Sequence, residues 1–128
     1  MKIKFIILGC GSSFGVPRAD GNWGKCNPKE KKNYRTRCSA LIKSKVKNIL
    51  IDTSPDLRLQ LIKNNITNID HVIYSHKHGD QVHGINDLRI FSLKKIKKFL
   101  FLLIMKLKNI YIIILTIVLK ATLVTKQF

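Results

Sequence analysis

The residues best suited to chemistry lie within residues 75–83, where the sequence is Ser-His-Lys-His-Gly-Asp-Gln-Val-His. Three of the four histidines of the chain are in this stretch. If the stretch is an extended loop, side chains two positions apart point the same way, so His76, His78 and Asp80 share one side. Two imidazoles and a carboxylate that converge are suited to a divalent transition metal. The sequence therefore predicts a metal site at these three residues, against the alternative of a polar surface loop.

Strands and a hairpin are predicted to position these residues. Residues 70–75 are apolar and β-branched, which predicts a buried strand that delivers the histidines from its C-terminal end. Residues 2–8 predict a first strand, and residues 38–44 and 47–53 predict two strands joined by a short polar turn. Asp52 comes at the end of the second hairpin strand, where it could support the site or merely cap the following turn.

Two helices and one long loop complete the predicted elements. Ser54 is a good N-cap and Pro55 suits a first helical position, so a helix is expected from there to residues 64–65. A second helix is expected over residues 84–91. Residues 19–37 are polar and predict a long loop, of the kind that is usually functional or held down by other parts of the chain.

The charge of the chain is strongly positive, with 24 Lys and Arg against 7 Asp and Glu and a net charge of +17. Such a balance is typical of proteins that bind nucleic acid or an anionic membrane. The lysines do not gather into a nucleic-acid-binding motif and few aromatic residues alternate with them. We expect no nucleic-acid partner, and A/T-rich coding DNA explains the lysines. A basic nucleic-acid-binding module stays as an alternative that steep salt-dependent binding would reveal.

The three cysteines are Cys10, Cys26 and Cys38, and no C-x-x-C pair is present. An odd number at wide spacing predicts neither a disulfide framework nor a zinc ribbon. Ordinary thiols in a reducing compartment are expected, which favours a cytoplasmic location. The apolar run of residues 5–8 is too short for the core of a signal sequence.

Five segments in a fixed order resemble the metallo-β-lactamase-fold hydrolases. The nearest branch is the group of metal-dependent phosphodiesterases that includes phosphoribosyl cyclic phosphate phosphodiesterase. The resemblance covers roughly residues 1–93 and depends on the segments Gly9–Arg18, Trp23–Cys26, Arg37–Ser39, Leu50–Arg58 and Tyr74–Arg89.

The resemblance implies an α/β fold, specifically the N-terminal part of an αββα sandwich with the metal site at one edge. Its members use two metals, zinc or manganese, with a hydroxide between them that attacks a phosphorus or carbonyl centre. It assigns His76 and His78 to the first metal, and Asp80 to the second metal and to catalysis. Asp52 and His83 are expected to lie behind the ligands. The implied substrate is a small phosphodiester.

The sequence departs from the family pattern at three points. Gln81 stands where the family has a metal-binding histidine, and a neutral amide is a poor substitute for imidazole. Gly21 stands where some relatives have a cysteine of a structural zinc loop, which leaves Cys26 without that partner. No histidine follows His83 and no acidic residue follows Asp87, although the family draws its remaining ligands from its second half. We therefore expect a truncated and inactive relative with a weak or lost second metal site.

The composition changes after residue 93. We divide the chain into a partial hydrolase domain, 1–93, and an apolar and basic segment, 94–128, that has no family resemblance. We interpret the segment as out-of-frame translation, which the other reading frames of the DNA would test. Within it, residues 99–119 combine fifteen Leu, Ile, Phe or Val with two central lysines, which makes membrane insertion close to neutral. The alternative function is therefore a small basic membrane-associated protein. The sequence indicates no oligomeric state, and an uncovered sheet face predicts low solubility.

Overall fold

The computed structural model describes residues 2–91, together with the backbone of residues 100–104 and 112–115. Six strands and two short α-helices follow one another along these residues. Their order is β1 Lys4–Gly9, β2 Ser39–Lys43, β3 Asn48–Ile51, α1 Leu57–Lys63, β4 His71–Tyr74, α2 Gly79–Val82, β5 Leu100–Ile104 and β6 Ile112–Leu115. Two 3-10 helices, Lys31–Asn33 and His83–Leu88, lie between them.

The strands form one mixed sheet in the order β1-β2-β3-β4-β5-β6. The first three strands are antiparallel neighbours, which confirms the predicted hairpin of β2 and β3. β4 runs parallel to β3, so β3, α1 and β4 form a βαβ crossover. Because β3 and β4 are parallel, their C-terminal ends meet at one edge of the sheet, and Asp52 there lies beside Ser75.

One face of the sheet carries the hydrophobic core. Leu41, Leu50 and Val72 occupy matching positions on adjacent strands and are fully buried. Leu57 and Leu61 of α1 belong to the same buried cluster. Full burial of such a side chain contributes about 1.5–3 kcal/mol, so this face fixes the position of α1 and of the loops at either end of it.

The predicted start of the first helix is wrong. α1 begins at Leu57 with Asp56 as its N-cap residue, whereas Ser54 and Pro55 lie in the turn before it. The hydroxyl of Ser54 does accept a hydrogen bond, from the amide of Asp56 at 3.0 Å, but it closes that turn. The physical reason lies in Thr53, whose amide donates to the carbonyl of Gln81 at 2.6 Å, which holds the chain in a nonhelical path.

The second predicted helix is also different in kind. His83–Leu88 forms a 3-10 helix, and residues 89–91 are α-helical. Close packing explains the tighter turn, since a Cβ on Gly84 would lie 2.1 Å from the carbonyl oxygen of Ser54. The predicted end of the first helix is confirmed, with Asn64 as the C-cap residue.

The long loop 19–37 is held down at its end, as its length predicts. Val16 and Arg35 exchange two backbone hydrogen bonds, of 2.9 and 2.8 Å, and Gly11 donates to the carbonyl of Thr36 at 2.7 Å. Arg37 then binds the carboxylate of Asp56 through both its backbone amide, at 2.9 Å, and its guanidinium, at 3.1 Å. These contacts hold the start of β2 against the end of β1.

The C-terminal segment contributes two strands to the sheet. β5 pairs in parallel with β4, and β6 pairs antiparallel with β5. The predictions for the rest of residues 94–128, including most of the proposed membrane segment 99–119, lie outside the described residues. Within the described part of the chain, no helix has the length and apolar character needed to cross a membrane. The boundary at residue 93 stays a prediction.

Candidate metal centre

The structure brings together the three residues that the sequence proposes as metal ligands. The ligand atoms of His76, His78 and Asp80 all lie within 4.8 Å of one another. The two imidazole rings are 4.6 Å apart between centroids and meet edge to face at 80°. His76 and Asp80 are half-buried and His78 is exposed, so the cluster opens to solvent on one side.

The route to this convergence differs from the predicted one. His78 has the extended backbone that the alternation requires, with φ −68 and ψ 152. Asp80, however, lies in the first turn of α2. The expectation of one extended loop is therefore wrong for Asp80, and the turn of the helix brings its carboxylate back toward the histidines. The helix begins here because the backbone N–H of Gln81 donates a hydrogen bond to the carbonyl oxygen of His78 at 2.9 Å.

Asp52 and Ser75 form a hydrogen-bonded chain that leads to His76. Both oxygens of the buried Asp52 carboxylate accept from Ser75, from its backbone amide at 2.7 Å and from its hydroxyl at 2.7 Å. The Ser75 hydroxyl lies 2.9 Å from Nδ1 of His76. Asp52 has a positive φ of 60, a conformation that Asp tolerates better than most residues. The carboxylate thus connects across the sheet edge rather than to the turn that follows it.

This chain fixes which nitrogen of His76 is available to a ligand. A carboxylate only accepts, so the single proton of the Ser75 hydroxyl is used on Asp52. The hydroxyl oxygen then accepts a hydrogen bond from Nδ1–H of His76. Nε2 is left with a free lone pair, which is the state that metal coordination requires.

Gln81 interacts with the cluster through Asp80. Its side-chain nitrogen donates to Oδ2 of Asp80 at 2.9 Å, and the residue is only 6% exposed. Its Oε1 atom is buried and has no hydrogen-bond partner in the described part of the chain. An orphaned buried amide oxygen costs about 1–3 kcal/mol, so this position is suited to a donor or a cation that the oxygen could contact.

The other predicted residues lie at different distances from the cluster. His83 is outside it, with its imidazole against Gly79, where an added Cβ would be 2.7 Å from the ring. Cys26 is an exposed free thiol in the long loop. None of these is a member of the ligand cluster that the described residues form.

Two neighbours of the cluster were not predicted. Ser75 is the residue immediately before His76, and the motif spacing alone gives no sign of its hydrogen bonds. Burial raises the pKa of the Cys38 thiol above its usual range, and Cys10, Asp80 and Asp52 raise it further. The charges of Asp80 and Asp52 therefore act on the Cys38 thiol, whereas the sequence predicts an ordinary thiol at this position.

Tyr74 supports the sheet edge beneath the cluster. Burial raises the pKa of its phenol above the usual range, while a hydrogen bond with the Thr53 hydroxyl opposes this shift and the Asp52 charge adds to it. The two hydroxyls are 3.0 Å apart and both are buried. This contact joins the end of β4 to the turn after β3, so it stabilises the position of Asp52.

The donor set fits a single divalent ion. Two ligands each about 2.0–2.2 Å from one ion are at most roughly 4.4 Å apart. The observed limit of 4.8 Å therefore needs only a small movement of the side chains to close on one ion. Two histidines and one carboxylate leave further coordination positions open for water or a substrate oxygen.

Comparisons with known proteins identify the fold as that of the metallo-β-lactamases. The model of the beta-lactamase superfamily domain matches residues 47–103. A diphosphatase of the PhnP family has a similar structure, with a TM-score of 0.68, 33% identity, and coverage of 75% of this chain and 38% of that one. Zinc-bound PqqB from Methylobacterium extorquens has a TM-score of 0.55 at 21% identity, covering 69% of this chain and 34% of that one, which shows likeness of fold.

A curated protein also matches over part of its length. An octanoyltransferase from Porphyromonas gingivalis is 41% identical over 88 residues, which are 68% of this chain and 18% of that protein. The chain thus spans under a fifth of this relative and about a third to two fifths of the two similar structures.

Proposed function

We propose that this chain, which carries the N-terminal half of a metallo-β-lactamase-fold domain, binds one divalent metal through His76, His78 and Asp80. The fold itself implies a divalent metal, and the structure contains a matching cluster. The observation that carries the proposal is the convergence of the three ligand atoms within 4.8 Å. Zinc is our first choice and manganese our second, because two imidazoles favour zinc.

The reaction class that the site supports best is hydrolysis of a small phosphodiester. A divalent ion bound there would polarise a phosphoryl oxygen of the substrate and activate a water molecule for attack. Asp52 and Ser75 orient His76, and Gln81 holds Asp80 through its side-chain amide. The diphosphatase similarity supports this class. The name of the octanoyltransferase describes a protein of which this chain covers 18%, and we propose no acyl transfer.

We further propose that turnover by this chain is very low. A second ion needs ligands besides the three of the cluster, and Gln81 replaces the nearest histidine. Residues 88–128 contain no His, Asp or Glu. Gln81 is moreover engaged with Asp80 rather than with the solvent side of the cluster. The three unpaired thiols support a reducing, cytoplasmic location.

Metal titration and a hydrolysis assay test the two parts separately. We expect zinc to bind in about a one-to-one ratio, with binding lost in His76→Ala and retained in Lys77→Ala, a matched neighbour outside the cluster. We expect a generic aryl phosphodiester to be hydrolysed far more slowly than by an intact relative, before and after chelation. Absence of zinc binding contradicts the metal site, and turnover like that of the relative contradicts the low activity.

A further inference from the structure

Two of the three thiols, Cys10 and Cys38, lie next to the last residue pair that joins β1 to β2. Gly9, the last residue of β1, pairs with Ser39, the first residue of β2. Cys10 directly follows Gly9 and Cys38 directly precedes Ser39, and one residue further out Gly11 and Arg37 form an isolated backbone bridge. Cys10 and Cys38 therefore lie between two backbone contacts that join the same two segments of the chain. A disulfide requires Cα atoms about 4.4–6.8 Å apart, and a position between two such contacts keeps the two backbones close.

A second observation supports the same juxtaposition. The Cys38 thiol donates to the carbonyl oxygen of Gly11 at 3.1 Å, so its sulfur lies against the residue that follows Cys10. After desolvation, Cys10 is the largest of the causes that raise the pKa of the Cys38 thiol. Both residues are exposed and unpaired, so a small disulfide in solution could reach them.

We propose that Cys10 and Cys38 form a redox modification site, a reversible disulfide between the segment that follows β1 and the segment that precedes β2. It arises by exchange with a low-molecular-weight disulfide such as oxidised glutathione. One protein thiolate attacks the small disulfide, whose S–S bond breaks and releases one thiolate that takes up the proton. The second protein thiolate attacks the resulting mixed disulfide and releases the second small thiol. Two protein thiols are oxidised and one small disulfide is reduced to two thiols.

A disulfide between Cys10 and Cys38 would affect the loop that lies near the metal-ligand cluster. Cys38 lies within electrostatic reach of Asp80 and Asp52, and it is joined through Gly11 to the loop that Thr36 and Arg37 hold. A disulfide would fix the glycine-rich loop to β2 next to the ligands. Desolvation and the neighbouring Cys10, Asp80 and Asp52 raise the pKa of the Cys38 thiol. We therefore expect attack by Cys38 to be slow at neutral pH and to accelerate about tenfold per pH unit while pH stays below that pKa.

Peptide mapping of the full chain tests this site. The reduced protein is incubated with oxidised glutathione, quenched in acid, alkylated and digested without reductant. We expect a linked peptide that joins Cys10 to Cys38 within one chain, and its loss after dithiothreitol. Cys26 should be recovered as the alkylated residue or as its glutathione adduct. The proposal is overturned if Cys10 and Cys38 are recovered only as separate adducts, or are linked only between chains.

Serine variants provide the matched controls. Cys26→Ser should form the linked peptide at the rate of the unchanged protein, because Cys26 lies in a different loop. Cys38→Ser should leave Cys10 as a stable mixed disulfide, and Cys10→Ser should do the same for Cys38. Should either variant fail to fold, the map of the unchanged chain still decides the question. Formation of the linked peptide independent of pH would contradict the thiolate mechanism.

Discussion

Ser75 is the residue on which the orientation of His76 depends, because its hydroxyl joins the Asp52 carboxylate to the imidazole. Loss of a partner behind a metal-binding histidine typically lowers metal affinity about 10–100-fold. We expect Ser75→Ala to reduce zinc affinity within that range, since Nδ1 of His76 would lose its acceptor and the tautomer would no longer be fixed. Competition against a chromophoric chelator would measure the change.

Ser75→Thr is the informative control for that variant, because it keeps the hydroxyl. Zinc affinity should then stay within about threefold of the unchanged protein, well short of the loss expected when the hydroxyl is removed. Equal losses in the Ala and Thr variants would mean that the hydroxyl has no orienting role.

Asp52 belongs to the same chain of hydrogen bonds but should also affect stability. Asn is nearly isosteric with Asp and tolerates the positive φ of 60 at this position, so Asp52→Asn tests the carboxylate alone. Both carboxylate oxygens of Asp52 accept hydrogen bonds from Ser75, and the substitution replaces one of them with an NH2 group, which can only donate. We expect a loss of about 1–3 kcal/mol in the free energy of unfolding, measured by urea denaturation. Asp20→Asn removes a carboxylate whose ion pair with Arg18 is exposed, so it should change the free energy of unfolding by less than about 1 kcal/mol.

The sequence indicates the identity of the ligands better than their geometry. The spacing of His76, His78 and Asp80 predicts a cluster because the residue types are specific for metals, and that holds whichever backbone path joins them. The hydrogen bonds of Ser75 and Gln81 could not be predicted, because they depend on which strand ends meet at the sheet edge and which side chains become buried. Such contacts are tertiary, and local spacing carries no information about them.

At the scale of elements, local signals predict the strands and the end of α1 but not its start. Alternating and β-branched segments become β2, β3 and β4, because a half-buried pleated surface favours those residues. Ser54 has the ideal type for an N-cap, yet Thr53 and Ser54 are occupied by contacts to residues 81 and 84. Tertiary packing overrode the local capping preference, as it often does at helix boundaries.

The close packing of the 3-10 helix against the turn before α1 leads to a second kind of prediction. A Cβ at Gly84 would lie 2.1 Å from the Ser54 carbonyl oxygen, which is backbone and cannot rotate away. We expect Gly84→Ala to cost about 1–3 kcal/mol by overpacking, together with a lower thermal midpoint. Circular dichroism on heating would measure it.

Gly79→Ala is the matched control in the adjacent helix. The atoms its Cβ would meet belong to the exposed His83 ring, which can move aside. The helix propensity of Ala makes this change neutral or stabilising by up to about 1 kcal/mol. If both glycine variants lose the same stability, the contact between Gly84 and Ser54 is not the cause.

At the scale of the whole molecule, the two faces of the sheet are unequal. Leu41, Leu50 and Val72 are buried under α1, whereas Phe5 and Ile7 on the opposite face are 63% and 64% exposed. A sheet is stable when each apolar face is packed against another layer. The described residues supply a layer for one face, in line with a chain that covers 38% of the similar diphosphatase. Low solubility and a membrane-associated C-terminal segment both stay predictions.

Paired truncations on β1 and β2 test whether this second face is uncovered in solution. Leu41 lies in the closed core, so Leu41→Ala should cost about 2–5 kcal/mol. Ile7→Ala should cost less than about 1 kcal/mol, because the side chain already contacts water over most of its surface. Both values come from urea denaturation of the full chain at several protein concentrations. A cost at Ile7 that approaches that at Leu41 would show that another layer covers the face. If that cost also grows with protein concentration, the layer is a second copy of the chain, since only association between molecules depends on concentration.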